Sequence, residues 1–292
     1  MTATHATAYD VVRQYLGAQV EAIRSRENAV KDNAPDAVHK TRVATRRLRS
    51  TLRTFRPLFH AESTEPLRAE LKWYAEMLGG PRDAEVLKQR LTEALSALPP
   101  DAVVGPVGAR LSAELDARHA LTHAELVQVM GTARYRDLTK ALENLTQTSP
   151  LRSQTHHSMT EVLNPLLTEA TQRAARRWEA AQAASGKEHT ELAHEARKKA
   201  KAARYAFEAV AEFDPSYKDA AQAWEQVTEA LGTAQDSVVT RERLHELRTA
   251  ADCAGEPTFT YGVLHGLELN QQEGAHNRGG EAIQHALTVS SQ

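Results

Sequence analysis

The chain has 292 residues, of which 41% are hydrophobic and 25% are charged, with a formal net charge of −2 and a pI of about 6.7. This composition supplies enough apolar side chains for a packed core and excludes global disorder. The near-neutral charge argues against a protein that coats nucleic acid by bulk attraction, because such domains usually have a pI above roughly 9. The length suits one large domain or two medium ones.

Helical periodicity runs through almost the whole sequence, whereas alternating strand patterns are nearly absent. The sequence therefore predicts an all-α fold. Asp36 is the expected N-cap of one helix, and prolines interrupt several others. The predicted helices span about 8–30, 36–59, 65–79, 82–98, 107–130, 134–147, 158–185, 189–212, 216–232, 235–252 and 258–287.

Features that report on the cellular compartment are few but consistent. Cys253 is the only cysteine, so no intramolecular disulfide can form, which favours a reducing compartment. Residues 1–5 lack the charged and then apolar pattern of a signal peptide, and no apolar run reaches the length of a membrane span. We expect a cytoplasmic protein with no membrane partner.

One basic pattern occurs twice. The first copy reads His39-x-x-Arg42-x-x-x-Arg46-x-x-Arg49, and the second reads His194-x-x-Arg197-x-x-x-Lys201-x-x-Arg204. This spacing places all four groups of each copy on one face of a helix. Two such rows in one protein predict a site for a long polyanion.

A second pattern repeats at nearly the same offset. Leu78-Gly79-x-x-x-Asp83-x-x-Val86 corresponds to Leu231-Gly232-x-x-x-Asp236-x-x-Val239. Two pairs of matching patterns separated by nearly the same number of residues indicate a duplicated unit of about half the chain. The repeats are predicted over 1–150 and 151–292, and together they are expected to form one compact unit. Each glycine is expected to end a helix and each aspartate to start the next. The polar stretch after Gln271 is expected to fray.

Other interpretations of the basic rows stay open at this stage. A run of charge is most often a solvated helix face, although residues 37–61 contain no acid to form the usual mixed pattern. Ion pairs with Asp83, Asp236 or Glu85 are an alternative for some of the arginines. Neighbouring cations should favour the neutral form of His39. His119 and His123 have the spacing of a metal pair but no evident third ligand, so no metal site is predicted.

Residues 36–59 closely resemble the signature helix of the CHAD family (conserved histidine α-helical domain), through His39-x-x-Arg42-Val43-x-x-Arg46-Arg47-Leu48-Arg49. The Leu78 motif, the His194 helix and the Arg204-Tyr205 pair fit the same family. The resemblance implies two four-helix bundles related by a pseudo-two-fold axis, with a basic channel between them. It also implies binding of inorganic polyphosphate. No motif of the triphosphate-tunnel domain that accompanies many members is found, so a free-standing copy is expected.

The resemblance assigns the ligand-binding residues one by one. Carried onto this chain, they are His39, Arg42, Arg46, Arg49, His194, Arg197, Lys201 and Arg204. Charge and position add Arg53 and Lys198, with Arg82, Arg173 and Arg177 as further candidates. Lys201-Ala202 stands where the first copy has Arg46-Arg47, so the two repeats are not expected to contribute equally.

The expected function is non-catalytic polyphosphate binding, with no cofactor and no metal, and with association to polyphosphate granules as a consequence. The sequence contains no phosphate-binding loop or nucleophile elbow, and the basic rows hold no carboxylates for the metals that phosphoryl transfer usually needs. Binding to the nucleic-acid backbone is the less favoured alternative, because Tyr205 is the only aromatic residue near the rows. A polyphosphate-metabolising enzyme or its accessory subunit is another. The oligomeric state is not predicted.

Overall fold

A computed structural model describes residues 7–148 and 159–291 of the chain. Within these ranges the regular structure consists of α-helices and short 3₁₀ turns, with no strand, which confirms the all-α prediction. The helices are α1 Ala8–Arg24, α2 Glu27–Lys31, α3 Ala37–Thr54, α4 Ala61–Met77, α5 Gly79–Ser96, α6 Val107–Met130, α7 Ala133–Gln147, α8 Met159–Ala183, α9 Gly186–Ala211, α10 Lys218–Cys253 and α11 Phe259–Val289.

The two helices that carry the basic rows are amphipathic as predicted. In α3, Ala44, Leu48 and Leu52 are buried, and in α9 the core face is formed largely by alanines together with Phe207 and Val210. Small side chains let α9 approach its neighbours closely, which leaves its basic face directed toward other elements rather than into open solvent. Asp36 occupies the N-cap position of α3, but its side chain makes no capping hydrogen bond.

The prediction that each glycine ends a helix and each aspartate starts the next holds only in part: α4 ends at Met77 with Leu78 as its C-cap, directly before Gly79, but no helix ends at Gly232 and neither aspartate starts one. Gly79 is the first residue of α5, so Asp83 lies in the second turn of that helix. Gly232 lies in the middle of α10, which continues without a break through Asp236. A single glycine costs an exposed helix only about 1 kcal/mol relative to alanine, and packing of α10 along the length of α11 offsets this cost.

The polar C-terminal stretch also differs from its prediction. Instead of fraying after Gln271, α11 continues to Val289. Ala275, Ile283 and Ala286 are buried along this stretch, and the Trp224 indole N–H donates a hydrogen bond of 2.9 Å to the Ser290 hydroxyl oxygen. Sparse apolar residues at helical spacing are sufficient here because each of them meets a partner helix.

The hydrophobic cores cross the predicted repeat boundary. The larger core contains residues of α1, α3, α4 and α7 together with residues of α8, α9 and α10. A smaller core joins α5 and α6 to the C-terminal part of α10 and the N-terminal part of α11. The boundary near residue 150 lies outside the described residues, and the pseudo-two-fold arrangement of the repeats stays a prediction. Of the helices described, none combines the length and apolar character needed to cross a bilayer.

Candidate functional site

A cavity of about 390 Å³ lies between α3, α5, α9 and α10, the helices that carry the repeated motifs. It brings together six of the predicted ligand-binding residues from both halves of the chain. Its apolar wall includes Val43, Val86 and Val239, so both repeated motifs contribute their valine to the same space. The predicted residues that line it are His39, Arg42, Arg46, Arg82, His194 and Arg197.

Arg42 and Arg197 occupy matching environments on the two sides of the cavity. Arg42 Nη1 lies 2.5 Å from Asp83 Oδ1, and Arg197 Nη2 lies 3.8 Å from Asp236 Oδ1. A Cβ atom built on Gly79 would meet the Arg42 guanidinium at 3.9 Å, and one built on Gly232 would meet that of Arg197 at 3.7 Å. The repeated glycines thus lie beside the arginines, and the repeated aspartates pair with them. The sequence left ion pairs with Asp83 and Asp236 as an alternative for some arginines. The structure contains these pairs, with Arg42 and Arg197.

The two histidines at the start of the basic rows have different neighbours. Nδ1 of His194 lies 2.8 Å from the Gln235 side-chain oxygen. His39 faces Arg82 instead, and burial together with this cation lowers the pKa of the His39 imidazole below its ordinary value. A lowered pKa agrees with the prediction that neighbouring cations favour the neutral form of His39. Arg82 is itself paired with Glu85 at 3.1 Å.

Arg46 lines the cavity, whereas the predicted residue Lys201 does not line it but lies partly buried close to Arg46 and Arg197. Among the described residues, neither Arg46 nor Lys201 has a carboxylate oxygen within the 4.0 Å limit of an ion pair. Burial lowers the pKa of the Lys201 ammonium to about 6, with further lowering by Arg197, Arg46 and Arg42, while Asp236 opposes the shift. Basic groups held this close, with so few acids, disfavour one another's charged forms, and an anion that enters stabilises those forms.

Arg204 is placed differently from the other predicted residues, because its guanidinium is already fully engaged. Its Nε donates a hydrogen bond of 2.6 Å to Glu208, its Nη1 donates one of 3.0 Å to Thr228, and its Nη2 pairs with Glu225. Glu208 also pairs with Arg47 of α3 at 2.8 Å, and so connects the two basic helices. Arg204 does not line the cavity, and its geometry is that of a structural residue.

Lys198 does not reach the cavity either. It is exposed and pairs with Glu195 three residues earlier on the same helix. Its environment is that of a solvated charged helix face, the alternative to a binding role that the sequence left open. The ligand-binding assignments of Lys198 and Arg204 therefore receive no support from their positions.

A second group of cations, here called the outer basic patch, lies along α3 beyond Arg46. Arg49 is influenced by Arg46 and Arg68, while Arg53 is influenced by Arg68, Arg49 and Arg173. Burial and these neighbours lower the pKa of both guanidinium groups. Lys199 belongs to the same group through Arg53, Arg173 and Arg177. The members of the patch are Arg49, Arg53, Arg68, Arg173, Arg177 and Lys199, of which Arg68 pairs with Glu65 and Arg173 with Glu169.

Sequence reasoning missed three cations. Arg68 of α4 and Lys199 of α9 join the outer basic patch, although neither belongs to the repeated motif. Arg90 lines the cavity and is held by Glu268 through hydrogen bonds of 2.7 and 2.6 Å, and by the Ser237 hydroxyl at 2.6 Å. Glu195 lies one turn before Lys199 on α9, so the local pattern there is that of an ordinary solvated helix face, and no local pattern identifies Arg68 or Arg90.

The histidine pair on α6 is engaged in contacts within the protein. His119 Nε2 lies 3.2 Å from Glu85 Oε1, and His123 Nε2 lies 2.8 Å from the Val30 carbonyl oxygen. Their rings stack with centroids 6.0 Å apart. Across residues 7–148 and 159–291, no three side chains of His, Cys, Asp or Glu are arranged to hold a metal ion.

Comparison with known proteins gives consistent matches. The model of the CHAD domain family matches residues 14–245. The uncharacterized protein Rv2226 of Mycobacterium tuberculosis strain H37Rv is 35% identical over 271 residues, which cover 90% of this chain and 50% of the relative. The uncharacterized protein MT2285 of strain CDC 1551 matches to the same extent. The chain thus spans about half the length of the curated relatives it matches.

Two solved structures share the fold. PptA from Streptomyces chartreusis superposes with a TM-score of 0.77 at 23% identity, covering 96% of this chain and all of that one. The CHAD domain from the plant Ricinus communis gives a TM-score of 0.71 at 22% identity, covering 97% of this chain and 96% of that one. Together with the family model, these matches confirm the resemblance found in the basic helices, and the chain belongs to the CHAD domain family.

Proposed function

We propose that the cavity and the outer basic patch bind inorganic polyphosphate without catalysing a reaction on it. The observation that carries this proposal is the convergence of Arg42 and Arg46 of α3 with Arg197 and Lys201 of α9. Basic groups from distant parts of the chain repel one another there when charged, and among the described residues only Asp83 and Asp236 form ion pairs with them. Phosphate oxygens relieve this repulsion through charge-assisted hydrogen bonds, which are often bidentate with arginine.

A linear ligand is favoured over a compact one because the cations form a continuous path. The cavity ends at Arg46, and the outer basic patch begins at Arg49, one turn further along α3. From His39 to Arg53 the helix rises by roughly 20 Å, at 1.5 Å per residue. A flexible chain of phosphates follows such a path, whereas a single phosphate occupies only one part of it.

Nucleic acid is the less suitable polyanion. Within the described cavity lining there is no Phe, Tyr or Trp on which a base could stack. Tyr205 is buried, with Arg47 and Arg204 at 5.9 and 6.0 Å from its ring centre. DNA or RNA that displaces polyphosphate at equal phosphate concentration would reverse this preference.

The absence of catalysis is part of the proposal. Phosphoryl transfer usually needs carboxylates that hold metal ions against the phosphates, and in the described part of the chain no three side chains of His, Cys, Asp or Glu are arranged to hold a metal ion. Incubation of polyphosphate with the protein and Mg²⁺ or Mn²⁺ tests this directly. Release of orthophosphate would establish an enzyme instead.

The binding test compares charge reversals inside and outside the cavity. We expect Arg42→Glu with Arg46→Glu to weaken the binding of long-chain polyphosphate at least tenfold by calorimetry, because each lost charge-assisted contact contributes about 1.5–3 kcal/mol. Lys140→Glu on α7 is the matched control, since Lys140 is exposed and lies in no part of the site. Binding should also weaken steeply with salt. Unchanged affinity in the double variant would refute the proposal.

Association with polyphosphate granules and a cytoplasmic location belong to the same proposal, because they follow from the ligand. A fluorescently tagged protein should co-localise with the granules in cells. The Arg42→Glu and Arg46→Glu variant should lose this co-localisation while the Lys140→Glu control keeps it.

A further inference from the structure

Arg42 and Arg197 hold the same position in the two copies of the basic pattern. Each already has an aspartate as its counter-charge in the empty cavity. Their partners, however, differ strongly from them in exposure. The side chains of Arg42 and Arg197 are 23% and 18% exposed, whereas those of Asp83 and Asp236 are 65% and 44% exposed. All four side chains line the cavity, but the guanidinium groups are the more buried partners and the carboxylates the more hydrated ones.

This difference determines which partner can leave. A carboxylate that turns fully into water gains hydration, which offsets part of the ion pair that it gives up. A guanidinium packed against the backbone at Gly79 or Gly232 has no such freedom, and its Nε atom is buried without a hydrogen-bond partner in both arginines. An anion that enters the cavity can therefore replace the carboxylates and finds the arginines already in place.

We propose that Asp83 and Asp236 are internal counter-anions, which neutralise Arg42 and Arg197 in the empty protein and are displaced when a polyanion binds. The inference deepens the proposed function and rests on it. Every phosphate species must either displace a carboxylate or lie beside it, so the aspartates lower the affinity for all of them. A chain that also contacts Arg46 and Lys201 retains useful affinity after this loss. A single phosphate does not, so the aspartates keep small anions out of the cavity.

The competing role for these aspartates is positioning. If Asp83 and Asp236 serve mainly to orient the arginines, their removal leaves the guanidinium groups misplaced. The two roles predict opposite signs for the change in affinity, which makes them separable by experiment.

The test uses Asp83→Asn and Asp236→Asn, singly and together, in the full chain. Asp137→Asn is the matched control, since Asp137 has an exposed carboxylate next to a lysine on α7 and does not line the cavity. Calorimetry with pyrophosphate and with long-chain polyphosphate should show affinity increases on the order of threefold to tenfold per substitution at low salt, and none in the control. Weaker binding of both ligands by the cavity variants would overturn the proposal.

Two further readouts separate displacement from a purely structural effect. In the variants, Arg42 and Arg197 are neutralised by mobile salt ions, so the slope of log affinity against log salt should steepen by up to about one per substitution. The empty double variant should also unfold at a lower temperature than wild type and be stabilised more by polyphosphate, because binding restores the lost neutralisation. An unchanged salt slope with smaller ligand stabilisation would contradict the displacement.

Failure of this inference is distinguishable from failure of the proposed function. A wild-type protein without affinity for long-chain polyphosphate refutes the function itself. A wild type that binds, with asparagine variants that bind more weakly, refutes only the role given to the aspartates.

Discussion

The lowered pKa of Lys201 makes polyphosphate binding depend on pH in a defined direction. In the empty cavity, burial and three neighbouring arginines lower the pKa of this ammonium group to about 6. At neutral pH the lysine is therefore mostly uncharged in the empty protein. A bound chain of phosphates favours the charged form, so binding at neutral pH takes up a proton. We expect the affinity to fall as pH rises above 6.

The size of the effect follows from the same shift. Between the pKa of the empty site and the higher pKa of the occupied site, the affinity should fall by up to about tenfold per pH unit, or 1.4 kcal/mol. Below pH 6 the lysine is already charged, and its contribution to the pH dependence disappears. Burial and Arg82 also lower the pKa of His39, and bound phosphate favours its charged form as well, so a Lys201 variant is needed to separate the two groups.

Calorimetry in two buffers of different ionisation enthalpy measures both the affinity and the number of protons taken up. Long chains should be used, because their internal phosphates do not titrate in this range. Wild-type protein should take up close to one proton near pH 7.5. Lys201→Arg should bind with little pH dependence, since a guanidinium stays charged. Lys201→Met should bind weakly at all pH values, with Lys140→Met as control.

A flat wild-type profile between pH 6.5 and 8.5, with no proton uptake, would refute this account of the lysine. A pH dependence that persists unchanged in Lys201→Arg would assign it to another group. Either result would leave the charge-reversal test of polyphosphate binding unaffected, because that test does not use Lys201.

Two predictions concern stability, measured by urea unfolding. A Cβ on Gly279 would come within 2.5 Å of the buried Leu231 side chain, so Gly279→Ala should destabilise the fold by about 1–3 kcal/mol. A Cβ on the neighbouring Gly280 makes only ordinary van der Waals contacts, so Gly280→Ala should leave the stability unchanged or raise it. An equal loss of stability in both glycine variants would contradict this reasoning. Glu268→Gln removes the carboxylate that pairs with the largely buried Arg90. The free energy of unfolding should fall by roughly 3–5 kcal/mol. A fall of less than about 1 kcal/mol would show that the fold does not depend on this pair.

Much of the fold and part of the site could be predicted because their signals are local. The apolar spacing in α3 places Leu48 and Leu52 in the core, and the same spacing places Arg42 and Arg46 on one face. Local signals failed at Gly232, where propensity indicated a helix end and packing of α10 on α11 maintained the helix. They also failed for the stretch after Gln271, which stays helical because its few apolar residues pack against partner helices.

The sequence alone determined that the protein is helical and that it carries two matching basic faces, since both properties depend on the spacing of residues within one helix. Only the tertiary structure decided which of these cations are available. Arg204 is neutralised by Glu225 of the following helix, whereas Lys201 has no such partner among the described residues and lies among arginines. The physical reason is that the charge state of a group depends on burial and on neighbours from other elements, and no spacing along one helix records those.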